Sequence, residues 1–191
     1  MKIISIINQK GGVGKTTSAC CIASGLARRG YQVLLVDTDQ QGHATVGSGI
    51  DTEYFNEKSV TLSELLKEQA YKSKTDTSAA IRTTNRGYDI IPTDIRQSGL
   101  DLELSSVPGR EYIMSETLHG LDYDFCIVDC PPNLSIITLM DMTASDYVLI
   151  PVKADYLALH GVAALMDTIN LVQKRINRRL QVLGAVLTFF R

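Results

Sequence analysis

Apolar residues along this chain fall into short, nearly unbroken runs. The runs are Ile3–Ile7, Val33–Val36, Tyr88–Ile91, Phe125–Val128, Tyr147–Val152 and Val182–Thr188. A strand with one wet face alternates apolar and polar positions. A run that is apolar almost throughout predicts burial on both faces, as in a parallel sheet covered by helices on each side. Between the runs the spacing turns helical. Thr16 to Arg29 predicts a helix that stops at Gly30, with Arg28 and Arg29 suited to the negative end of its dipole. Tyr156 to Arg178 predicts a longer helix with the apolar stripe Leu159, Val162, Leu165, Met166, Ile169, Val172 and Ile176. This order predicts a doubly wound α/β fold around a mainly parallel sheet.

The stretch from Asp51 to Thr84 is more polar and less periodic. Leu62, Leu65 and Leu66 predict one short helix capped near Thr61 or Ser63, and Lys72 to Ser78 predicts an exposed loop. There is no internal repeat and no low-complexity tract. At 191 residues the chain predicts one domain, large enough to bury a core without disulfides or metal. The last run lies at the end of the chain, and a terminal strand left uncovered is unusual in such a sheet. The expectation is one domain over residues 1–191 that lacks its C-terminal part.

Composition narrows the function classes. Hydrophobic residues are 45% and charged residues 21% of the chain, as in globular proteins. A net charge of -2 argues against general attraction to nucleic acid and leaves room for a local basic patch, such as Lys174, Arg175, Arg178 and Arg179. No apolar run is long enough to span a bilayer. The apolar N-terminal stretch is too short for a signal peptide and reads as the first strand of a cytoplasmic protein. Cys20, Cys21, Cys126 and Cys130 match no common zinc spacing.

Three motifs carry chemistry. Lys10-Gly11-Gly12-Val13-Gly14-Lys15-Thr16-Thr17 lies between a strand and a helix. Glycines let backbone N–H groups point at phosphate, the helix N-terminus favours negative charge, and a lysine neutralises it. Lys15 is expected at the β- and γ-phosphates, Thr16 on Mg²⁺, and Thr17 at the α-phosphate. Asp37 and Asp39 follow the second strand at i, i+2, where both can face one crevice. One can act on metal-bound water and the other on the attacking water. Asp129 ends an apolar strand, the layout of a carboxylate that holds Mg²⁺, and Pro131 and Pro132 stiffen the exit.

These residues together resemble a known family. Gln9 stands where the general phosphate loop has its first glycine, and Lys10 is an extra lysine. The loop resembles the deviant Walker A motif K-G-G-x-G-K-[ST]-T of the ATPases that include ParA, MinD and the nitrogenase iron proteins. Asn8-Gln9-Lys10 is most similar to the ParA/Soj partition ATPases. Asp37-Thr38-Asp39-Gln40-Gln41-Gly42-His43-Ala44-Thr45 resembles their D-x-D-P-Q-G-N-A-T, with Gln40 for Pro and His43 for Asn. Asp129-Cys130-Pro131-Pro132-Asn133-Leu134 resembles their switch segment D-x-P-P-x-L, which puts Pro131 at the nucleotide. Ile150-Pro151-Val152, Tyr156 to Gly161 and Leu183 to Thr188 extend the likeness.

The resemblance implies ATP and Mg²⁺ as cofactors and slow, partner-stimulated ATP hydrolysis. It implies an ATP-dependent homodimer in which Lys10 reaches the partner's phosphates while Gly11 and Gly12 keep the interface clear. Asp39 would orient the hydrolytic water, and Asp37 would sit near the Mg²⁺ shell with Thr16 and Asp129. The implied partners are a ParB-like stimulating protein and non-specific DNA, with no membrane, in a bacterial, nucleoid-associated setting. The competing classes are a MinD-like membrane-positioning ATPase, which needs an amphipathic helix, an iron–sulfur protein, which needs cluster cysteines, and an amide-forming synthetase.

Overall fold

The computed structural model describes residues 1–52, 55, 59–72, 75–94, 99–154 and 158–189, with only the backbone of 72 and 158–160. The six apolar runs all form strands. They are β1 (Lys2–Ile6), β2 (Val33–Asp37), β4 (Asp89–Ile91), β5 (Phe125–Asp129), β6 (Tyr147–Lys153) and β7 (Gln181–Thr188). A two-residue strand, β3 (Arg82–Thr83), adds an antiparallel edge beside β4 through a turn at Gly87. The sheet order is β3-β4-β2-β5-β1-β6-β7, and every other pairing is parallel.

Burial on both faces follows from residue alternation. Val33 and Leu35 of β2 point into one core with Ile4 and Ile6 of β1, and Leu34 and Val36 point into the other. The first core is closed by α1 (Lys15–Ala27), through Ala19 and Ala23. The second is closed by α3 (Leu62–Lys72), α4 (Leu100–Leu104), α5 (Ile113–Thr117), α6 (Ile136–Ala144) and α7 (Ala158–Arg175). The small α2 (His43–Gly47) follows β2.

Helix ends behave as their residues dictate. Gly30 adopts φ 90° and donates its N–H to the Ala27 carbonyl, closing the chain after α1. Thr61 is the cap of α3: Glu64 accepts from both its N–H and its hydroxyl, at 3.1 and 2.6 Å. That helix runs to Lys72, which corrects the sequence expectation of a short helix followed by a loop from Lys72. Ser73 and Lys74 lie outside the described residues, as do Tyr156 and Leu157 at the expected start of α7.

Strand β7 departs from the burial its apolar run predicts. Leu183 and Leu187 are 54% and 64% exposed, and neither described core contains a β7 side chain. It is the edge strand, so it has a pairing partner on β6 only.

Candidate functional site

The parallel strands β1, β2 and β5 all end at one edge, where ligands bind in open α/β sheets. Register sets the chemistry there. Asp37 pairs with Asp129, and Asp129 also lies opposite Ile6 of β1. Two carboxylates therefore sit side by side directly below the loop that leaves β1.

That loop is held at both ends. The Asn8 side chain donates to the Pro151 carbonyl at 2.7 Å and accepts from the Lys10 N–H at 2.9 Å. The Thr188 hydroxyl at the end of β7 donates to the Val13 carbonyl at 2.8 Å. Gly12 and Gly14 adopt φ 69° and 86°, a left-handed backbone that other residues resist. A Cβ on Gly11 or Gly12 would meet nothing within 4 Å, so this face of the loop is open. Gly14 is the N-cap of α1, which has neither a side-chain cap nor an acidic residue in its first turn. Its leading N–H groups and the buried Lys15 together make an anion site.

A cleft of about 400 Å³ opens here. Gly11, Gly12, Gly14, Lys15, Thr16 and Thr17 line it together with Asp39. A smaller cavity of about 190 Å³ adjoins it, shared by Asp39 and Gln41 with Pro131, Pro132 and Asn133. Val13 is buried under the loop, and Lys10 is exposed at its tip. Thus Lys15, Thr16, Thr17, Gly11, Gly12, Gly14 and Asp39 share the cleft. Pro131 lines its extension, and Lys10, Val13, Asp37 and Asp129 are not in its wall.

The three acidic residues are unequal. Asp37 is spent on protein donors: its Oδ2 accepts from the Thr45 N–H and hydroxyl, both at 2.7 Å, and its Oδ1 from the Asp39 N–H at 3.3 Å. Burial pushes its carboxyl up to about 6 against these donors. Asp39 accepts from the Gln41 N–H at 3.0 Å. Asp129 is wholly buried, and neither of its oxygens has a hydrogen-bond partner. Burial, then the charges of Asp37 and Asp39, push it up to about 8; the nearby Thr16 hydroxyl and Lys15 pull the other way.

An uncompensated buried carboxylate beside two others fits a divalent cation, which supplies the missing positive charge. Among the described residues no three His, Cys, Asp or Glu side chains form an all-protein metal cage. Mg²⁺ keeps water and phosphate oxygens and takes few protein ligands.

Sequence reasoning missed several residues of the site. His43 begins α2, and Phe189 follows β7; both line the cleft. Thr45 was legible only as part of a motif, and its role as a double donor to Asp37 depends on the turn at Gly42, φ 64°. Asp141 of α6 had no sequence signal, because it sits inside an apolar helix. It is fully buried, and its Oδ2 lies 2.8 Å from the Thr38 hydroxyl. Burial pushes it up to about 7, opposed by the Thr38 hydroxyl and the Cys130 thiol and aided by the charge of Asp101.

A family model described as an AAA domain matches residues 1–182. The chromosome partitioning protein ParA of Caulobacter vibrioides is 37% identical over 194 residues, covering 100% of this chain and 70% of that protein. The sporulation initiation inhibitor protein Soj of Bacillus subtilis is 41% identical over 190 residues, covering 98% of this chain and 72% of that protein. The chain belongs to the ParA/Soj family of P-loop ATPases. Solved structures share the fold. A plasmid partition protein from Borrelia burgdorferi superposes with a TM-score of 0.85 at 27% identity, covering 100% of this chain and 79% of that one. Cobyrinic acid a,c-diamide synthase from Mycobacterium smegmatis, solved with an ATP analogue and magnesium, gives a TM-score of 0.89 at 36% identity, covering 98% and 74%. Family membership accounts for the deviant loop, the paired Asp37 and Asp39, and the Asp129-to-Leu134 segment in one chain.

Proposed function

We propose that the chain is an ATP-hydrolysing dimer switch of the ParA/Soj type that acts in chromosome or plasmid partition. The observation that carries it is Asp129, buried and unpartnered behind an open phosphate loop with Lys15 and Thr16. Lys15 would neutralise the β- and γ-phosphates, and the N–H groups at the start of α1 would cradle them. Thr16 and Asp129, with Asp37 close by, would hold Mg²⁺, which offsets charge on the transferred phosphoryl group. Asp39 lines the cleft with the loop, where it would orient the attacking water.

Lys10 is exposed at the loop tip beside Gly11 and Gly12. From there it would reach a partner protomer's phosphates, and the bare glycine surface would let the two chains approach. ATP then bridges the protomers, and loss of the γ-phosphate releases them. The ATP dimer would bind DNA non-specifically and be stimulated by a ParB-like protein, in a bacterial, nucleoid-associated cytoplasmic setting. No helix among the described residues is long and apolar enough to cross a membrane.

The test is retention on DNA with ATP compared with ADP, with dimerisation followed by gel filtration. ATP-specific DNA retention with a dimer is the expected result. Binding to liposomes with no DNA retention in any nucleotide state would replace this reading with a MinD-like one.

A further inference from the structure

Thr38 lies between the two carboxylates Asp37 and Asp39 and is itself buried, at 1% exposure. Its hydroxyl donates to the Asp129 carbonyl at 2.9 Å and to Asp141 Oδ2 at 2.8 Å. A hydroxyl has one proton, and a carbonyl can only accept. The Thr38 proton is therefore shared between two acceptors, the Asp129 carbonyl and Asp141 Oδ2, and Thr38 ties the two together. The chain of bonds then runs from α6, through the segment after β2, to the end of β5.

Several bonds in this segment are local. The Asp39 N–H goes to Asp37, the Gln41 N–H to Asp39, and the Gly42 N–H to the Asp39 carbonyl. Thr38 carries bonds that leave it, since its N–H also reaches the Asp129 carbonyl at 3.1 Å. A second hydroxyl pair secures α6 from its far end: Ser145 donates to the Asp141 carbonyl at 2.7 Å and meets Ser5 of β1 at 2.7 Å. Asp141 is thus fixed at its backbone and placed at its side chain. An apolar residue would fill this site at lower desolvation cost, so its carboxyl needs a reason to be there.

We propose that Asp141 is a positioning residue that anchors Thr38 and thereby sets Asp39 against the attacking water. This rests on the reading of Asp39 as the residue that orients that water. Neighbouring Cα atoms are about 3.8 Å apart, so a shift at Thr38 is passed directly to Asp39. Displacements on the order of 1 Å at such a group cost hydrolysis heavily while leaving nucleotide binding to the phosphate loop.

The experiment compares Asp141→Ala, Asp141→Asn and Thr38→Val in the full chain. Asn keeps the shape and can still accept from Thr38 through its amide oxygen; Ala cannot. Hydrogen exchange at residues 38–41 is read without nucleotide, and kcat and KM are read with Mg-ATP. Asp141→Ala and Thr38→Val are expected to exchange roughly tenfold faster at 38–41, the scale of one lost hydrogen bond. Their kcat falls by a similar factor with KM nearly unchanged, and Asp141→Asn stays near wild type in both. Wild-type exchange in Asp141→Ala, or Asp141→Asn as defective as Asp141→Ala, overturns the proposal. If Asp141→Ala does not fold, Thr38→Val set against Asp141→Asn gives the same decision. A wild-type chain that hydrolyses no ATP defeats the proposed function, and the exchange comparison still decides whether Asp141 holds Thr38.

Discussion

Replacing Asp141 by Asn should remove a pH dependence from the stability of the nucleotide-free protein. The carboxyl titrates near 7 in the fold and near 3.8 in an unfolded chain. Between those values the native state holds a proton that the unfolded state has released. Stability is therefore greatest below the lower value, falls as pH rises towards 7, and then levels off. One pKa unit is worth 1.36 kcal/mol, so the whole swing is about 4 kcal/mol. Over the practical interval from about pH 5 to about pH 8 the loss is about 2–3 kcal/mol.

Asn carries no titrating proton, so Asp141→Asn does not suffer this loss. The groups facing the side chain are the Thr38 hydroxyl, the Cys130 thiol and the charge of Asp101, and all three remain in the variant. Asp37 and Asp129 titrate in both proteins and cancel in the difference. The assay is urea unfolding of both proteins at the two pH values, without nucleotide or Mg²⁺. Asp141→Asn should gain about 2–3 kcal/mol on wild type between pH 5 and pH 8. That corresponds to roughly 5–10 °C in Tm for a chain of this size. A stability difference that is the same at both pH values refutes the reasoning.

Lys15→Ala should abolish nucleotide binding by calorimetry, and tight ATP binding by that variant would refute the phosphate-loop assignment. Lys10→Ala should keep nucleotide binding by the monomer and lose both dimerisation and hydrolysis; unchanged ATPase activity would sink the role in trans. Thr45→Val removes a hydroxyl that donates to Asp37 at 2.7 Å and accepts from the Thr93 N–H at 3.1 Å. It should cost about 2–4 kcal/mol in urea unfolding with an unchanged slope, and a loss under about 1 kcal/mol would show that the bond to Asp37 matters little.

Much of this molecule was legible in its sequence because its strands are buried on both faces. An unbroken run such as Val33-Leu34-Leu35-Val36 has few structural alternatives, and all six runs form strands. The short helices were harder. Ile136–Ala144 is apolar nearly all round, so it shows no helical stripe. Thr77–Ala80 and Arg110–Tyr112 are single turns that carry no period. The run at β7 misled because apolar character reports what a surface prefers to meet, and a strand at a sheet edge meets less. The phosphate loop was legible because glycine spacing, strand and helix are all local. The bond from Thr45 to Asp37 depends on the turn at Gly42 rather than on spacing, and the bond from Thr38 to Asp141 joins residues far apart in the chain, so no spacing rule reveals either.

The three carboxylates at the strand ends differ in what they already hold. Asp37, Asp39 and Asp129 lie together behind a loop whose only nearby buried cation is Lys15 among the described residues. Without a divalent cation, Asp129 is held towards its neutral form, and the fold bears the cost of burying it. Asp129 would offer an incoming divalent cation two oxygens that hold no hydrogen-bond partner. Asp37, by contrast, already spends its oxygens on Thr45 and Asp39, so it can change partners only if the segment after β2 moves. Under the proposed function, Asp129 would be free to take Mg²⁺ while Asp37 would keep holding the segment that carries Asp39.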